Sequence, residues 1–378
     1  MVLPLAVLTL IVCLVRAPHS DVMTSLTSLF VPVSQVHATT AASTTVLVRN
    51  EPFDMVLCTT VKNNERLLPE WIAFHRLQGV QHFYVYDDES DRVNYTAVLA
   101  PLIAAGVVEL RNVLDVVRDP AAYIAASPYA NETQWHANMI AQMDTCNQDR
   151  SADCPQCRCQ SAMNMDCIAR ARMAKARWLA SYDVDEFMFR PLLGNGDSPG
   201  PLWQALDDVA AKSPNVDVFV VDGLTMGVAG FPFKNWTGLM IETHRSRISL
   251  TETGAGDDPR CGGDEFRSWK SWSHPQGLKV DKGFVHMPES DPPDRFQWVG
   301  ARVPSAPIRF FHYQLGSVEE MLEKAVINGN PGYYVAMATS PDKIACSSAV
   351  DDGAAARFAQ RVGYCINHPN DRSRCDAA

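Results

Sequence analysis

The chain has no basic excess and no long apolar run. Its 33 Lys and Arg are outnumbered by 43 Asp and Glu, giving a formal net charge of -10. That argues against a nucleic-acid partner, which would call for a basic face, and basic and aromatic residues do not interleave in an RNA-binding pattern. No internal repeat is visible, which excludes solenoids and propellers. The most apolar stretch, residues 1–15, is uncharged but shorter than the roughly 20 residues that cross a bilayer. No Lys or Arg precedes it, and no clear small-x-small cleavage position follows, since Ala17 meets Pro18. Residues 1–17 read as a signal peptide or signal-anchor, so an N-terminal membrane anchor is one expectation. Residues 18–50 lack hydrophobic periodicity and are rich in Ser and Thr, as in a stem or leader.

The remaining residues, 51–378, carry the content of one large domain. With 378 residues, 47% hydrophobic and 20% charged, the chain has an ordinary globular composition. Eleven cysteines are present, five of them clustered as Cys146, Cys154, Cys157, Cys159 and Cys167. Behind a secretory leader this spacing reads as disulfides rather than zinc. Sequons at Asn94, Asn131 and Asn235 point the same way, to the lumen of the endoplasmic reticulum or Golgi.

Hydrophobic patterning predicts a strand over residues 54–61 and a helix over 65–78 ended by Gly79. A second strand is expected over 81–87, a helix over 94–104 and a third strand, VVEL, after Gly106. This alternation indicates βαβ units and a mostly parallel sheet. Residues 115–160 interrupt it and read as a cysteine-rich insertion over one sheet edge. A helix from about Ser161 to Arg177 then leads into the strand WLASYDVDEF, residues 178–187. A helix near 202–212, the strand VDVFVVD, a mobile loop over 251–268 and a late strand IRFFHY follow. Ser317 opens a helix with Glu320 at the capping-box position.

The chemistry centres on Asp183 and Asp185. Side chains two apart on an extended chain share a face. Two carboxylates at a strand end can therefore grip a hard divalent cation, and such a cation can hold a diphosphate. The bland reading is a solvated acidic turn.

Four blocks, in order, resemble glycosyltransferase family 92, a family of GT-A type. They are CTTVKNNERLLPEWIAFHRLQGVQHFYVYDDESD (58–91), MDCIARARMAKARWLASYDVDEF (165–187), KSWSHPQGLKVDKGFVH (270–286) and FFHYQLGSVEEMLEKA (310–325). Asn64 stands where the family has a glutamate. The resemblance implies a GT-A type α/β fold, a nucleotide-sugar donor, a manganese or magnesium ion, and transfer to a glycan or other acceptor. It points to UDP-galactose as donor.

On this reading Asp183, Asp185 and His312 hold the metal, with His312 preferred over His286 and His274. Lys62, Asn63 and Asp87, at strand ends, contact the donor, and Lys270 neutralises its diphosphate. Met226 to Gly230 admit the sugar, and Trp236, Trp269 and Trp272 are candidates for stacking on sugar rings. Asp264 and Glu265 are candidate bases. Two rivals are a secreted carbohydrate-binding protein on the same fold that lacks catalysis, and a nucleotidyltransferase, which shares the metal logic but predicts no lumenal routing.

Overall fold

The computed structural model describes residues 52–131, 136–150, 159–190, 200–226, 238–244, 246–247, 267–279, 295–299, 308–313, 349–350 and 355–376, with a few single residues between. All lie within the compact unit Arg49–Ala378. The leader, the stem, most of the loop over 251–268, His286, Trp236 and the candidate bases Asp264 and Glu265 lie outside the described residues.

The strands are β1 (Met55–Val61), β2 (His82–Asp87), β3 (Val108–Asn112), β4 (Trp178–Ser181), β5 (Glu186–Phe189), β6 (Val218–Thr225), β7 (Ser246–Arg247), β8 (Arg267–Ser273), β9 (Phe296–Val299), β10 (Arg309–His312) and β11 (Ala349–Val350). Nine of them form one sheet in the order β3-β2-β1-β4-β8-β6-β10-β5, with β9 pairing on β6. β3, β2, β1 and β4 are mutually parallel, as are β9, β6 and β10. β8 runs antiparallel between β4 and β6, and β5 antiparallel on β10. β7 and β11 make a separate two-stranded pair.

Both sheet faces are covered. The longer helices are α1 (Leu67–Leu77), α2 (His136–Arg150), α3 (Cys159–Met173), α4 (Leu202–Ala210) and α5 (Ala359–Asn367). One core gathers Leu57 of β1 with residues of α1, α4 and α5; the other gathers Val56 and Cys58 of β1 with α2 and α3. Alternate β1 residues thus feed opposite cores, so the strand reads as a continuous apolar run. This is the α/β, GT-A-like architecture the sequence indicates.

Several expected elements appear with altered bounds. The helix expected over 94–104 is two pieces, Tyr95–Val98 and Ala100–Ala104. Pro101 has no N–H to continue the first, so it sits at the start of the second. Asn94 caps the first piece by accepting the Ala97 N–H. α1 ends as expected: Gly79 has φ +98°, and the Val80 N–H reaches the His75 carbonyl at 3.0 Å, a Schellman closure. The capping box at Ser317 is present, its Oγ accepting the Glu320 N–H at 3.1 Å. β8 and β9 have no counterpart in the sequence-based assignment.

A further difference matters most. WLASYDVDEF is not a single strand. β4 stops at Ser181, the Glu186 N–H bonds back to the Asp183 carbonyl at 3.0 Å, and β5 begins at Glu186. The two aspartates sit on a turn between two strands of the sheet, because the chain leaves β4 to join β10 at the far edge. The apolar run on both sides hides that break.

Two disulfides fix the α3 side. Cys146 pairs with Cys159, and Cys167 with Cys58 on β1. Beside Cys167, the buried Asp166 accepts hydroxyl bonds from Tyr86, Tyr123 and Tyr129 and the Arg170 Nε–H at 2.8 Å. Burial disfavours this carboxylate, but Arg170 and the hydroxyls outweigh it and hold its pKa below the usual value. A third disulfide joins Cys365 and Cys375.

Candidate active site

Among the described residues β5 is an edge strand, with no strand partner on its outward side. α1 supplies the partners. The Trp71 indole N–H donates to the Glu186 carbonyl at 2.9 Å. His75 Nε2 faces the Met188 N–H at 3.5 Å, and Gln78 Oε1 accepts the Arg190 N–H at 3.1 Å. Trp71, His75 and the C-cap residue Gln78, spaced i, i+4 and i+7, lie along one face and meet Glu186 and Met188 of β5 and Arg190 just beyond it. Burial pushes the His75 imidazole down to about 3, so it is neutral, with Nδ1 against the Trp71 carbonyl. The helix face that the sequence shows as apolar is therefore also the clasp of the edge strand.

With β5 held, the turn before it is defined. Asp183 is the open residue, its side chain 39% exposed. Its Oδ1 accepts from Gln160 Nε2 at 2.9 Å, and its N–H donates to Glu186 Oε2 at 2.8 Å. Lys270, fully buried on β8, places Nζ 3.0 Å from Glu186 Oε2 and 3.5 Å from Asp183 Oδ2. On the other side of Glu186, His312 Nε2 lies 3.7 Å from Asp185 Oδ1 and 3.8 Å from Glu186 Oε1. The Tyr313 N–H donates to the Asp185 carbonyl at 2.7 Å, tying the end of β10 to the turn.

Burial pushes the Glu186 carboxyl up, while the Lys270 ammonium beside it opposes that shift and favours the carboxylate. Burial also works against the Lys270 ammonium, but Asp183 and Glu186 overcome it and raise its pKa. The Glu186 shift is one of burial, whereas the Lys270 shift arises because the turn brings three carboxylates to one buried ammonium.

Asp183, Asp185, Lys270 and His312 thus converge. Glu186 is the member that the sequence does not single out. Its signal was present: a glutamate opening the apolar segment FMF must be buried, and a buried carboxylate needs a partner. Gln160 was also missed, since nothing in the sequence aims it at Asp183.

The other candidates lie on neighbouring loops. Asp87 ends β2, where Oδ1 accepts the Ser90 N–H at 3.0 Å, and burial raises its pKa. Lys62 follows β1, and β1 and β2 are adjacent in register, Val61 opposite Asp87. Asn63 adopts φ +52°. Its amide Nδ2 donates to Asp91 at 2.8 Å and its Oδ1 accepts the N–H groups of Asp91 and Arg92, so this side chain laces the two loops together. His274 sits at the opposite end of β4, its ring stacked 4.0 Å from Trp178 and bonded to the Arg177 carbonyl. Trp272 is fully buried with Nε1 on Met188 Sδ, a core position; Trp269 is 37% exposed.

Among the described residues no three His, Cys, Asp or Glu side chains form a ready-made metal cage. Asp185 and His312 nevertheless suit one cation. A separation of 3.7 Å between donor atoms is within the roughly 4.2 Å reach of two ligands at about 2.1 Å on one ion and wider than the roughly 3.0 Å of adjacent octahedral ligands, so a small side-chain rotation would bring both onto it. Cations that serve diphosphates take one or two protein ligands and complete their shell with phosphate and water.

Residues 54–216 match the sequence model of glycosyltransferase family 92. The resemblance to this family is real. Among curated family 92 proteins, one from Oryza sativa subsp. japonica is 26% identical over 144 residues, 38% of this chain and 17% of the rice protein. One from Ricinus communis is 25% identical over 139 residues, 37% of this chain and 17% of the relative; a segment of 41 residues reaches 37%. The chain's matches thus span about a sixth of these family 92 proteins. The matched segment includes β1, α1, α3 and the acidic turn, but ends before β6, β8 and β10, which bring Lys270 and His312.

Proposed function

We propose that this chain is a divalent-metal-dependent glycosyltransferase, moving a sugar from a nucleotide-sugar donor to a glycan or other glycoconjugate. The observation that carries the reading is the turn Asp183–Glu186, where Asp185 and His312 face each other at 3.7 Å beside an exposed Asp183. The similarity to family 92 supports it. UDP-galactose is the first donor to test. The lumen of the endoplasmic reticulum or Golgi is the proposed location, membrane-anchored or secreted; the disulfides and the exposed positions of Asn94 and Asn131 favour it.

In this reading Asp185 and His312 hold manganese, or magnesium. The bound cation would supply counter-charge to a leaving diphosphate. Asp183 remains on the open side of the turn, where a carboxylate accepts hydrogen bonds from a ribose or a bound water. Lys62 and Asp87, at adjacent strand ends, are the proposed donor contacts, Asp87 accepting from uridine or ribose. Asn63 acts there by shaping the loop. α1 and β5 keep the turn fixed, so little reorganisation remains when charge develops.

The test is a nucleotide-sugar hydrolysis and transfer screen, run with and without manganese on wild type and Asp185→Asn. Turnover is expected only with a divalent metal, and the amide variant should lose at least roughly 100-fold while staying folded. Full activity in excess chelator, or an active Asp185→Asn protein, would overturn the proposal. Sugar binding with no turnover would establish the carbohydrate-binding alternative.

A further inference from the structure

We infer that Lys270 is not a donor contact but the internal counter-ion of Glu186, and that Glu186 is the positioning residue of the acidic turn. The inference rests on the reading of Asp185 and His312 as ligands only for its metal-binding readout.

Three observations carry it. First, Lys270 is fully buried, and Nζ lies nearer Glu186 at 3.0 Å than Asp183 at 3.5 Å. A phosphate contact needs an ammonium that a ligand can reach; this one has no exposed surface. Second, both oxygens of Glu186 are engaged on the turn. Oε2 accepts the Asp183 N–H at 2.8 Å as well as Lys270, while Oε1 lies 3.8 Å from His312 Nε2. One carboxylate therefore touches the backbone of the first aspartate and faces the histidine that pairs with the second. Third, Glu186 is itself fixed through its own carbonyl by Trp71, so it passes the rigidity of α1 into the turn. Removing one partner of a buried charged pair leaves the other uncompensated, whereas replacing both by neutral groups of similar shape does not. That asymmetry separates an internal pair from a ligand contact.

The experiment compares Lys270→Met, Lys270→Met/Glu186→Gln and Lys270→Met/Glu186→Leu. Gln retains an oxygen for the Asp183 N–H; Leu fills the space without one. Four quantities are read: thermal midpoint, hydrogen exchange of the Asp183 amide, Mn2+ affinity without nucleotide, and UDP affinity with Mn2+. Lys270→Met alone should lower the midpoint by roughly 5 °C or more. The Gln double variant should regain most of that loss, protect the Asp183 amide, and bind Mn2+ and UDP within about 3-fold of wild type. The Leu double variant should stay folded, lose protection at Asp183 and bind Mn2+ roughly 10-fold more weakly.

A Gln double variant that keeps its midpoint and Mn2+ affinity but loses UDP 10-fold would make Lys270 a phosphate contact and end the proposal. A Leu double variant with a protected Asp183 amide would remove the positioning role. If wild type binds neither Mn2+ nor UDP, the glycosyltransferase reading fails. The midpoint rescue and the Asp183 exchange then still decide the roles of Lys270 and Glu186.

Discussion

The indole N–H of Trp71 donates to the backbone carbonyl of Glu186 across 2.9 Å, from the middle of α1 to the first residue of β5. This bond joins a helix early in the chain to the acidic turn 115 residues later. It explains why a tryptophan is useful there. The ring fills the core, and the N–H satisfies an edge-strand carbonyl that no neighbouring strand reaches.

Trp71→Phe should keep most of the packing and leave that carbonyl unpaired. A stability loss of about 1–3 kcal/mol is expected, with faster amide exchange across Phe187–Phe189. Denaturant unfolding and exchange by mass spectrometry measure the two effects. Unchanged exchange in β5 would show that the clasp does not hold the strand.

Two buried groups on α1 give opposite pH slopes. His75 is depressed to about 3, below its unfolded value near 6.5. The unfolded chain then binds the extra proton, and His75 reduces stability as pH falls from about 6.5 towards 3. Glu70 is pushed up to about 7 by burial, opposed by the N–H groups of Ile241 and Met240. Here the native state binds the proton, so its contribution is lost as pH rises from about 4.5 through 7. Stability curves of His75→Gln and Glu70→Gln, each subtracted from wild type, should show slopes of these two signs. A pH-independent difference for either variant refutes its assignment.

The Cys58–Cys167 disulfide closes a separation of 109 residues between β1 and α3. Replacing both with Ala should lower stability by about 5 kcal/mol, the scale for a loop of that length. Peptide mapping without reductant should find this bridge and Cys146–Cys159. Free thiols at all four positions would sink the pairing.

His312→Ala should weaken Mn2+ binding roughly 10-fold or more. The side chain is only 12% exposed at the end of β10, so some loss of stability is expected beside the loss of affinity. Calorimetric Mn2+ titration beside a thermal melt decides between roles. A variant with wild-type Mn2+ affinity and a lowered midpoint would falsify the ligand assignment and leave a core histidine.

The sequence by itself determined the elements with strong local signals. β1, β2 and α1 were legible because apolar periodicity and the Gly79 stop are properties of a few adjacent residues. Asp183 and Asp185 were legible because they are close in sequence, and His312 because IRFFHY lies in a block that resembles family 92. Only the tertiary structure decided that the aspartates lie on a turn. The chain leaves β4 for an edge strand, and pairing partners of strands are not local. It alone gave Lys270 to Glu186, because β8 inserts antiparallel between β4 and β6 and buries that ammonium under the turn. It alone turned Asn63 into the lace of two loops and carried His274 to the far end of β4. In each case the deciding quantity is desolvation: which charges and backbone groups lose water depends on packing between segments far apart in the chain.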